Sequence, residues 1–389
     1  MNTYYCLLGN TPLFSIAELK AVLPLVRIEM LNDAVAQIDL ASDTEATDLL
    51  DTLGGTIKII RHIEHFETKP DDEDILLSSS KILTREKTKN KISFGFSEMG
   101  RDHLPVFNAR SLKKHLQSLG YSAQFKDGPR TGLPAALLLH KPHIQEIVLI
   151  GSNKGTILGK TIAVQNIDAW TNVDRNKPYA DRKKGMLPPK VARMMVNLAL
   201  AHTDEPQPAI YDPFCGSGTI LLEAIALGKN NLIGSDLDLE AVRGTKENVA
   251  WYAEQFETTL TPEIKGGDVT KVNPSQKIDL LITEPFLGKP KPNPAKVPFI
   301  LKGLEKLYRG AFRHWSKILK DGATVVIVIP SIVVQDKKGK TRIYTLEKLI
   351  DSLASLGYTT SSEPIEYFRE QAIVRRNIYT FTYNTENKA

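Results

Sequence analysis

The stretch that most constrains this chain is Tyr211-Asp-Pro-Phe-Cys-Gly-Ser-Gly-Thr-Ile-Leu-Leu-Glu223. An apolar approach, Pro208-Ala209-Ile210, reads as a short buried strand that runs into Asp212. A Gly216-Ser217-Gly218 turn follows, then a helix with apolar positions Ile220, Leu221, Ala224, Ile225 and Leu227. Strand, glycine turn and helix make the opening unit of a doubly wound α/β nucleotide-binding fold. Glycine lets the backbone bend sharply and lets a ligand lie against the main chain. A dinucleotide pyrophosphate would demand N–H groups and positive charge at this turn, not an acid. The carboxylate of Asp212 instead suits a ligand with an amino group or a positive charge.

Asp212-Pro-Phe-Cys-Gly-Ser-Gly-Thr219 resembles the cofactor loop of the Rossmann-like methyltransferases, in the version carried by RNA guanine-N2 methyltransferases with a THUMP domain. The cofactor so implied is S-adenosylmethionine, whose methionine portion carries the amino group for Asp212. The resemblance also places Phe214, Gly216, Gly218 and Thr219 at the cofactor.

A chain of 389 residues has room for two or three domains. With 42% hydrophobic and 24% charged residues it has the make-up of an ordinary globular protein. A net charge of +5 permits a nucleic-acid partner without demanding one. Cys6 and Cys215 supply neither a disulfide framework nor a metal cluster, and Cys215 reads as packing inside the turn. His62 and His65 lie along a strand with no second ligand cluster, so no metal is expected. The start has no basic leader and no run approaches a membrane span, so a cytoplasmic protein without a membrane partner is expected.

Along residues 1–66 the strand and helix signals follow a β-α-β-β-α-β order, the ferredoxin-like arrangement. Strands are expected at 4–8, 27–31, 34–40 and 56–63, with helices after a Ser15-Ile-Ala-Glu18 capping box and at 44–53. Leu8-Gly9-Asn10-Thr11-Pro12-Leu13 is similar to the start of the THUMP-containing guanine-N2 methyltransferases. A charge-rich stretch, 67–91, marks a boundary with one helix near 75–83. Beyond it, 92–96, 135–140, 146–150 and 160–165 read as strands. Residues 108–119 read as an amphipathic helix burying Leu112, Leu116 and Leu119, with Arg110, Lys113, Lys114 and Lys126 left to solvent. On the residues alone this basic edge is a solvated face as readily as an RNA site. The layout of 67–170 is similar to the THUMP fold, which implies that these four residues contact tRNA.

The run Asn166-Ile-Asp-Ala-Trp, Asp174-Arg-Asn-Lys-Pro178 and Gly185-Met-Leu-Pro-Pro-Lys190 closely matches the family's segment between THUMP and catalytic domains. That gives a linker at 171–185 and a catalytic domain at 186–389, a Rossmann-like methyltransferase with a mixed seven-stranded sheet. Pro188 and Pro189 suit a first helical turn. Lys190 would then sit near the cofactor or an RNA phosphate, or simply in solvent. Further strands deliver Asp236 for ribose hydroxyls, with Asp238 as the alternative, Leu237 beside adenine, and Asp268 for the adenine amine. Residues 288–298, rich in lysine and proline, read as a substrate-facing loop.

The fourth strand ends in Glu284-Pro285-Phe286-Leu287-Gly288. In relatives that methylate exocyclic amines, this position reads Asp-Pro-Pro-Tyr or Asn-Pro-Pro-Tyr. There a side-chain oxygen and a backbone carbonyl accept the two N–H bonds of the amine, and an aromatic ring stacks on the flipped base. Glu284 keeps the acceptor about one C–C bond farther out, and Phe286 or Leu287 takes the aromatic place. The expected function is therefore S-adenosylmethionine-dependent methylation of a tRNA guanosine at N2, of the guanosine-10 type, with Glu284, Pro285 and Phe286 at the reaction. The resemblance leaves room for a small activating partner subunit and leaves the oligomeric state open. Two alternatives stay open: a tRNA-binding protein with a catalytically altered domain, and a DNA amino-methyltransferase.

Overall fold

Apolar residues of the first strands bury both faces of a sheet that grows through the first 171 residues, with Tyr4 and Cys6 in one core and Tyr5 in another. A computed structural model describes residues 1–388 except 86–90, 101–102, 130, 182–184, 258–259, 336–339, 361 and 369–370. Parts of the expected boundary stretch (86–90) and linker (182–184) thus lie outside the described residues. The chain divides into two compact units, Met1–Thr171 and Asn172–Ala389.

The first unit runs β1 (Asn2–Leu8), α1 (Pro12–Val22), β2 (Glu29–Asn32), β3 (Val35–Leu40), α2 (Asp43–Thr52) and β4 (Thr56–Phe66). It continues with α3 (Asp72–Arg85), β5 (Lys91–Met99), α4 (Ala109–Ser118), β6 (Ser122–Phe125), α5 (Ala135–His140), β7 (Ile144–Ser152) and β8 (Gly155–Val164). Helix α6 (Ile167–Arg175) contains the division between units. The strands form one eight-stranded sheet, β2-β3-β1-β4-β8-β7-β5-β6. Its first four strands, all antiparallel, have the ferredoxin-like order, and β4 pairs with β8 over residues Lys58–Phe66 and Thr156–Val164. The segments expected as separate domains, 1–66 and 67–170, therefore share one sheet. Tyr4, Cys6, Ile38 and Ile59 anchor one core beneath it, each large apolar side chain contributing roughly 1.5–3 kcal/mol on burial.

Three local expectations change here. Ser15 and Glu18 do not form a capping box: α1 starts at Pro12, and Glu18 is fully buried. Its two oxygens accept the Gly54 and Gly55 N–H groups, both at 2.8 Å, fixing the turn into β4. Residues 135–140 are helix, not strand, because Pro134 precedes a run of Ala and Leu, the strongest helix formers. Leu112 and Leu116 are buried as expected, but Leu119 is past the end of α4 and 53% exposed.

A dry ion pair ties the sheet of the first unit to the segment ahead of α5. Lys58 Nζ donates to both oxygens of Glu146 at 2.8 Å and to the Leu133 carbonyl at 2.7 Å. Ser97, Thr161 and the Leu133 N–H supply the remaining donors to Glu146.

The second unit contains α7 (Pro189–Leu200), β9 (Ile210–Asp212), α8 (Thr219–Ala226), β10 (Leu232–Asp236), α9 (Leu239–Gln255), β11 (Glu263–Gly266) and β12 (Ile278–Thr283). It closes with α10 (Val297–Ile318), β13 (Leu319–Gln335), β14 (Thr341–Tyr344), α11 (Glu347–Leu353), β15 (Leu356–Thr359), β16 (Ile365–Tyr367) and β17 (Val374–Lys388). The sheet follows β11-β10-β9-β12-β13-β17-β15, with β14 attached to β13 and β16 to β17. β11 through β13 are parallel, whereas β17 is antiparallel to all three of its neighbours, β13, β15 and β16. The expected seven-stranded path is present, and the two attached strands make nine. β9 lies between β10 and β12, so the order reverses beside it, which places the ligand crevice at the strand ends there. Among the described residues no helix is long and apolar enough to cross a membrane.

Candidate active site

At this reversal β9 ends on Asp212 and β10 on Asp236, while Asp268 follows β11 and Glu284 directly follows β12. All four acids line one cavity of about 980 Å³. Phe214, Gly216, Thr219, Leu237, Pro285 and Phe286 line it too, as do Tyr179 and Arg376.

Asp212 is 2% exposed, and both of its hydrogen bonds fall on one oxygen. Thr283 Oγ1 donates to Oδ1 at 2.7 Å and the Phe214 N–H at 3.1 Å. Burial pushes this carboxyl up to about 7, and the charges of Asp236 and Glu284 add to the effect against those two hydrogen bonds. A cationic group arriving at the free side of the carboxylate would restore its charge.

The turn that follows is built around glycine. Gly216 has φ 55° and donates its N–H to Asp236 Oδ2 at 2.9 Å. Gly218 has φ 77° and caps α8, but it does not line the cavity. A Cβ there would come within 2.9 Å of the Thr245 side chain, so close packing as well as the positive φ favours glycine. Thr245 in turn donates to the Gly216 carbonyl at 2.8 Å. Cys215 is buried and burial pushes its thiol up, so it is inert packing as expected.

Asp236 also accepts the Asp238 N–H on Oδ1 at 2.9 Å, so each oxygen has one backbone donor and spare acceptor capacity. Asp238 itself caps α9 through the Glu240 N–H. Leu237 is 74% exposed, an apolar surface beside Asp236. Asp268 is exposed, and the Thr270 N–H and hydroxyl, both bonded to Oδ1, hold its carboxyl below the usual range.

Glu284 is where the structure departs most from expectation. Its Oε1 accepts from Arg376 Nε at 2.5 Å, an ion pair with β17. Phe286 is 59% exposed, while its carbonyl accepts from the buried Tyr308 hydroxyl at 2.7 Å. No described residue donates to the Pro285 carbonyl.

Sequence reasoning missed several residues of this site. Arg376 stands 92 positions from Glu284, and only the sheet brings the two together. Thr283 was within reach, since β12 neighbours β9 and its last residue falls beside Asp212. Lys177 is 4% exposed and donates to the Ser217 and Thr219 hydroxyls at 3.3 and 3.1 Å. Burial holds that ammonium below its usual range, against the charges of Asp174 and Glu223. Tyr179 is pinned by Asn248, which bonds its N–H, its carbonyl and the Ser217 carbonyl. Its ring lies over Gly244, where a Cβ would come within 2.1 Å.

Of the basic residues singled out, Lys190 is half-buried, its ammonium lowered by burial, and it does not line the cavity. Arg110, Lys113, Lys114 and Lys126 belong to the first unit. Arg110 is exposed but already paired with Asp127 at 3.0 Å.

Residues 178–338 match the family described as RMKL-like, methyltransferase domain. Over 173 residues the chain is 30% identical to a tRNA (guanine(10)-N2)-dimethyltransferase of Methanothermobacter thermautotrophicus, covering 44% of each chain. A protein of the same name from Methanocaldococcus jannaschii is 25% identical over 222 residues, which is 52% of this chain and 58% of that one. The chain thus spans about half the length of the curated relatives it matches. The crystal structure of TrmN from Thermus thermophilus superposes with a TM-score of 0.55 at 15% identity, over 98% of this chain and 100% of that one, a likeness of fold. The family match spans the whole stretch that carries the four strand-end acids.

Proposed function

We propose that the chain is an S-adenosylmethionine-dependent methyltransferase acting on the exocyclic N2 amine of a tRNA guanosine, of the guanosine-10 type. The carrying observation is the convergence of Asp212, Asp236, Asp268 and Glu284 on one cavity behind a glycine turn. The relatives named for that reaction match the same stretch.

The cavity fits the cofactor. Gly216 offers main chain without a Cβ, Asp212 has one oxygen free of described partners, and Asp236 keeps acceptor capacity for two hydroxyls. When bound, S-adenosylmethionine supplies a methyl group on a sulfonium sulfur. Asp212 would hold the amino group, Asp236 the ribose hydroxyls and Asp268 the adenine amine, with Leu237 against the ring. Phe286 offers its exposed ring to a base taken out of its stack. A guanine amine is a poor nucleophile because its lone pair is delocalised into the ring. Glu284 and the Pro285 carbonyl accept its two N–H bonds and aim the nitrogen for in-line attack. The first unit would grip tRNA as a ferredoxin-like plus THUMP module, with Arg110, Lys113, Lys114 and Lys126 on phosphates. With tRNA as the substrate, the expected place of the reaction is the cytoplasm.

The test incubates the purified protein with S-adenosylmethionine and unmodified tRNA transcripts, followed by mass spectrometry of the nucleosides. The expected product is N2-methylated guanosine, lost when guanosine-10 is replaced by adenosine. Cofactor binding by calorimetry without methyl transfer to any tRNA of the same cell would leave a tRNA-binding protein instead.

A further inference from the structure

The substitution of Glu284 for the family's shorter Asp or Asn creates a problem of aim. A glutamate has one more rotatable bond than an aspartate, so its carboxylate sweeps a larger volume unless something fixes it. Here Arg376 does so: its Nε donates to Oε1 at 2.5 Å, and the pair is largely withdrawn from water, with Glu284 13% and Arg376 25% exposed. Arg376 reaches the cavity from β17, where it is registered against Pro330 of β13 and Tyr367 of β16. Its neighbour Arg375 is bound elsewhere, paired with Glu366 and stacked 4.0 Å over Phe368, as the alternation of a strand requires.

Only one oxygen of Glu284 is engaged. Among the described residues nothing donates to Oε2, and nothing donates to the carbonyl of Pro285, which lines the same cavity. Two acceptors are thus left for the two N–H bonds of an exocyclic amine. The guanidinium also offsets a charge that would otherwise stand bare near Asp212, on which Glu284 already acts.

We infer that Arg376 is a positioning residue that makes the longer Glu284 serviceable, holding Oε1 so that Oε2 meets the target amine; this rests on the function proposed above. The Glu-Pro-Phe-Leu motif and Arg376 then form one device, and neither is a defect of the other.

The test is a two-by-two set: wild type, Arg376→Met, Glu284→Asp, and both together, assayed for methyl transfer to tRNA and for cofactor affinity by calorimetry. Arg376→Met should lower kcat roughly 10–100-fold with cofactor affinity within about twofold of wild type. In the Glu284→Asp background the shorter acid no longer reaches Arg376, so the same change should cost less than about threefold. Arg376→Lys, which keeps charge but not the fixed Nε–H, should recover part of the loss. Equal losses in both backgrounds, or none in wild type, would overturn the proposal while leaving the transferase intact. A wild type that binds cofactor yet methylates no tRNA would overturn the underlying reading, and this proposal with it.

Discussion

Glu146 in the first unit and Asp212 in the second are 1% and 2% exposed, yet they sit in opposite chemistry. Glu146 has donors on both oxygens and a lysine to cancel its charge. Asp212 has two neutral donors on a single oxygen, acids for neighbours and a cavity beside it. The first arrangement is complete and can only hold the protein together. The second is incomplete, and a ligand with positive charge would complete it. Burial alone does not separate a structural acid from a functional one; unused acceptor capacity facing a cavity does.

The comparison breaks most visibly if the first pair proves dispensable. Lys58→Met strands the Glu146 carboxylate in a dry interior and should cost about 3–5 kcal/mol in denaturant unfolding. Cofactor affinity should not change. Lys58→Met with Glu146→Leu, apolar on both sides, should return most of that stability, since well-packed apolar pairs often replace buried ion pairs at little cost. If the double variant is as unstable as the single, the pair does more than satisfy itself.

Asp212→Asn sharpens the other side. Burial pushes the folded carboxyl up to about 7, against 3.8 for an ordinary aspartate. A raised acid favours the folded state fully below its unfolded value, and that contribution is lost as pH rises from about 4 through 7. Removing the ionisable group should therefore make the variant more stable than wild type at about pH 8, by roughly 1–3 kcal/mol, with the gap closing toward about pH 4. Glu223, also pushed up to about 7 by burial despite Arg193, should leave a residual slope in the variant. Cofactor binding should weaken roughly 10–100-fold at the higher pH, where the wild-type acid is charged. A destabilised variant with normal cofactor affinity would place Asp212 with Glu146 after all.

The smallest effect is expected on the basic edge. Neutralising Arg110, Lys113, Lys114 and Lys126 together should weaken tRNA binding about tenfold at moderate salt and flatten its salt dependence by roughly 0.7–0.9 per lost phosphate contact. Arg110 already answers to Asp127, so Arg110→Ala alone should change the slope least. Wild-type affinity and slope in the fourfold variant would move the RNA surface elsewhere.

What could be seen in the sequence was local. Asp212, the glycines and Asp236 stand within 25 positions of one another, and the strand-turn-helix pattern fixes where each must go. Asp268 and Glu284 followed because strands of a parallel sheet end on one edge. Gly216 and Gly218 look alike in the sequence, and only the fold shows Thr245 packed behind one of them. Arg376 and Lys177 were invisible because nothing in Arg-Arg or Asn-Lys-Pro says which distant carboxylate or hydroxyl it will meet. Ser15 and Glu18 had capping-box spacing, yet burial sent both side chains to the Gly54-Gly55 turn. Spacing rules describe a helix in isolation, and here a tertiary contact overrode them.

The pairing of β4 with β8 has a consequence for how this protein is made. Everything from residue 67 to 154 must leave the ribosome before β8 can dock on β4. Until then the nascent chain carries a ferredoxin-like half whose last strand presents bare N–H and C=O groups, the kind of edge that recruits other chains. Pairing over so long a separation also closes slowly. The polar stretch after residue 66 therefore looks like a seam but is not one. A chain cut there would yield two fragments, each with an open strand where the other belongs.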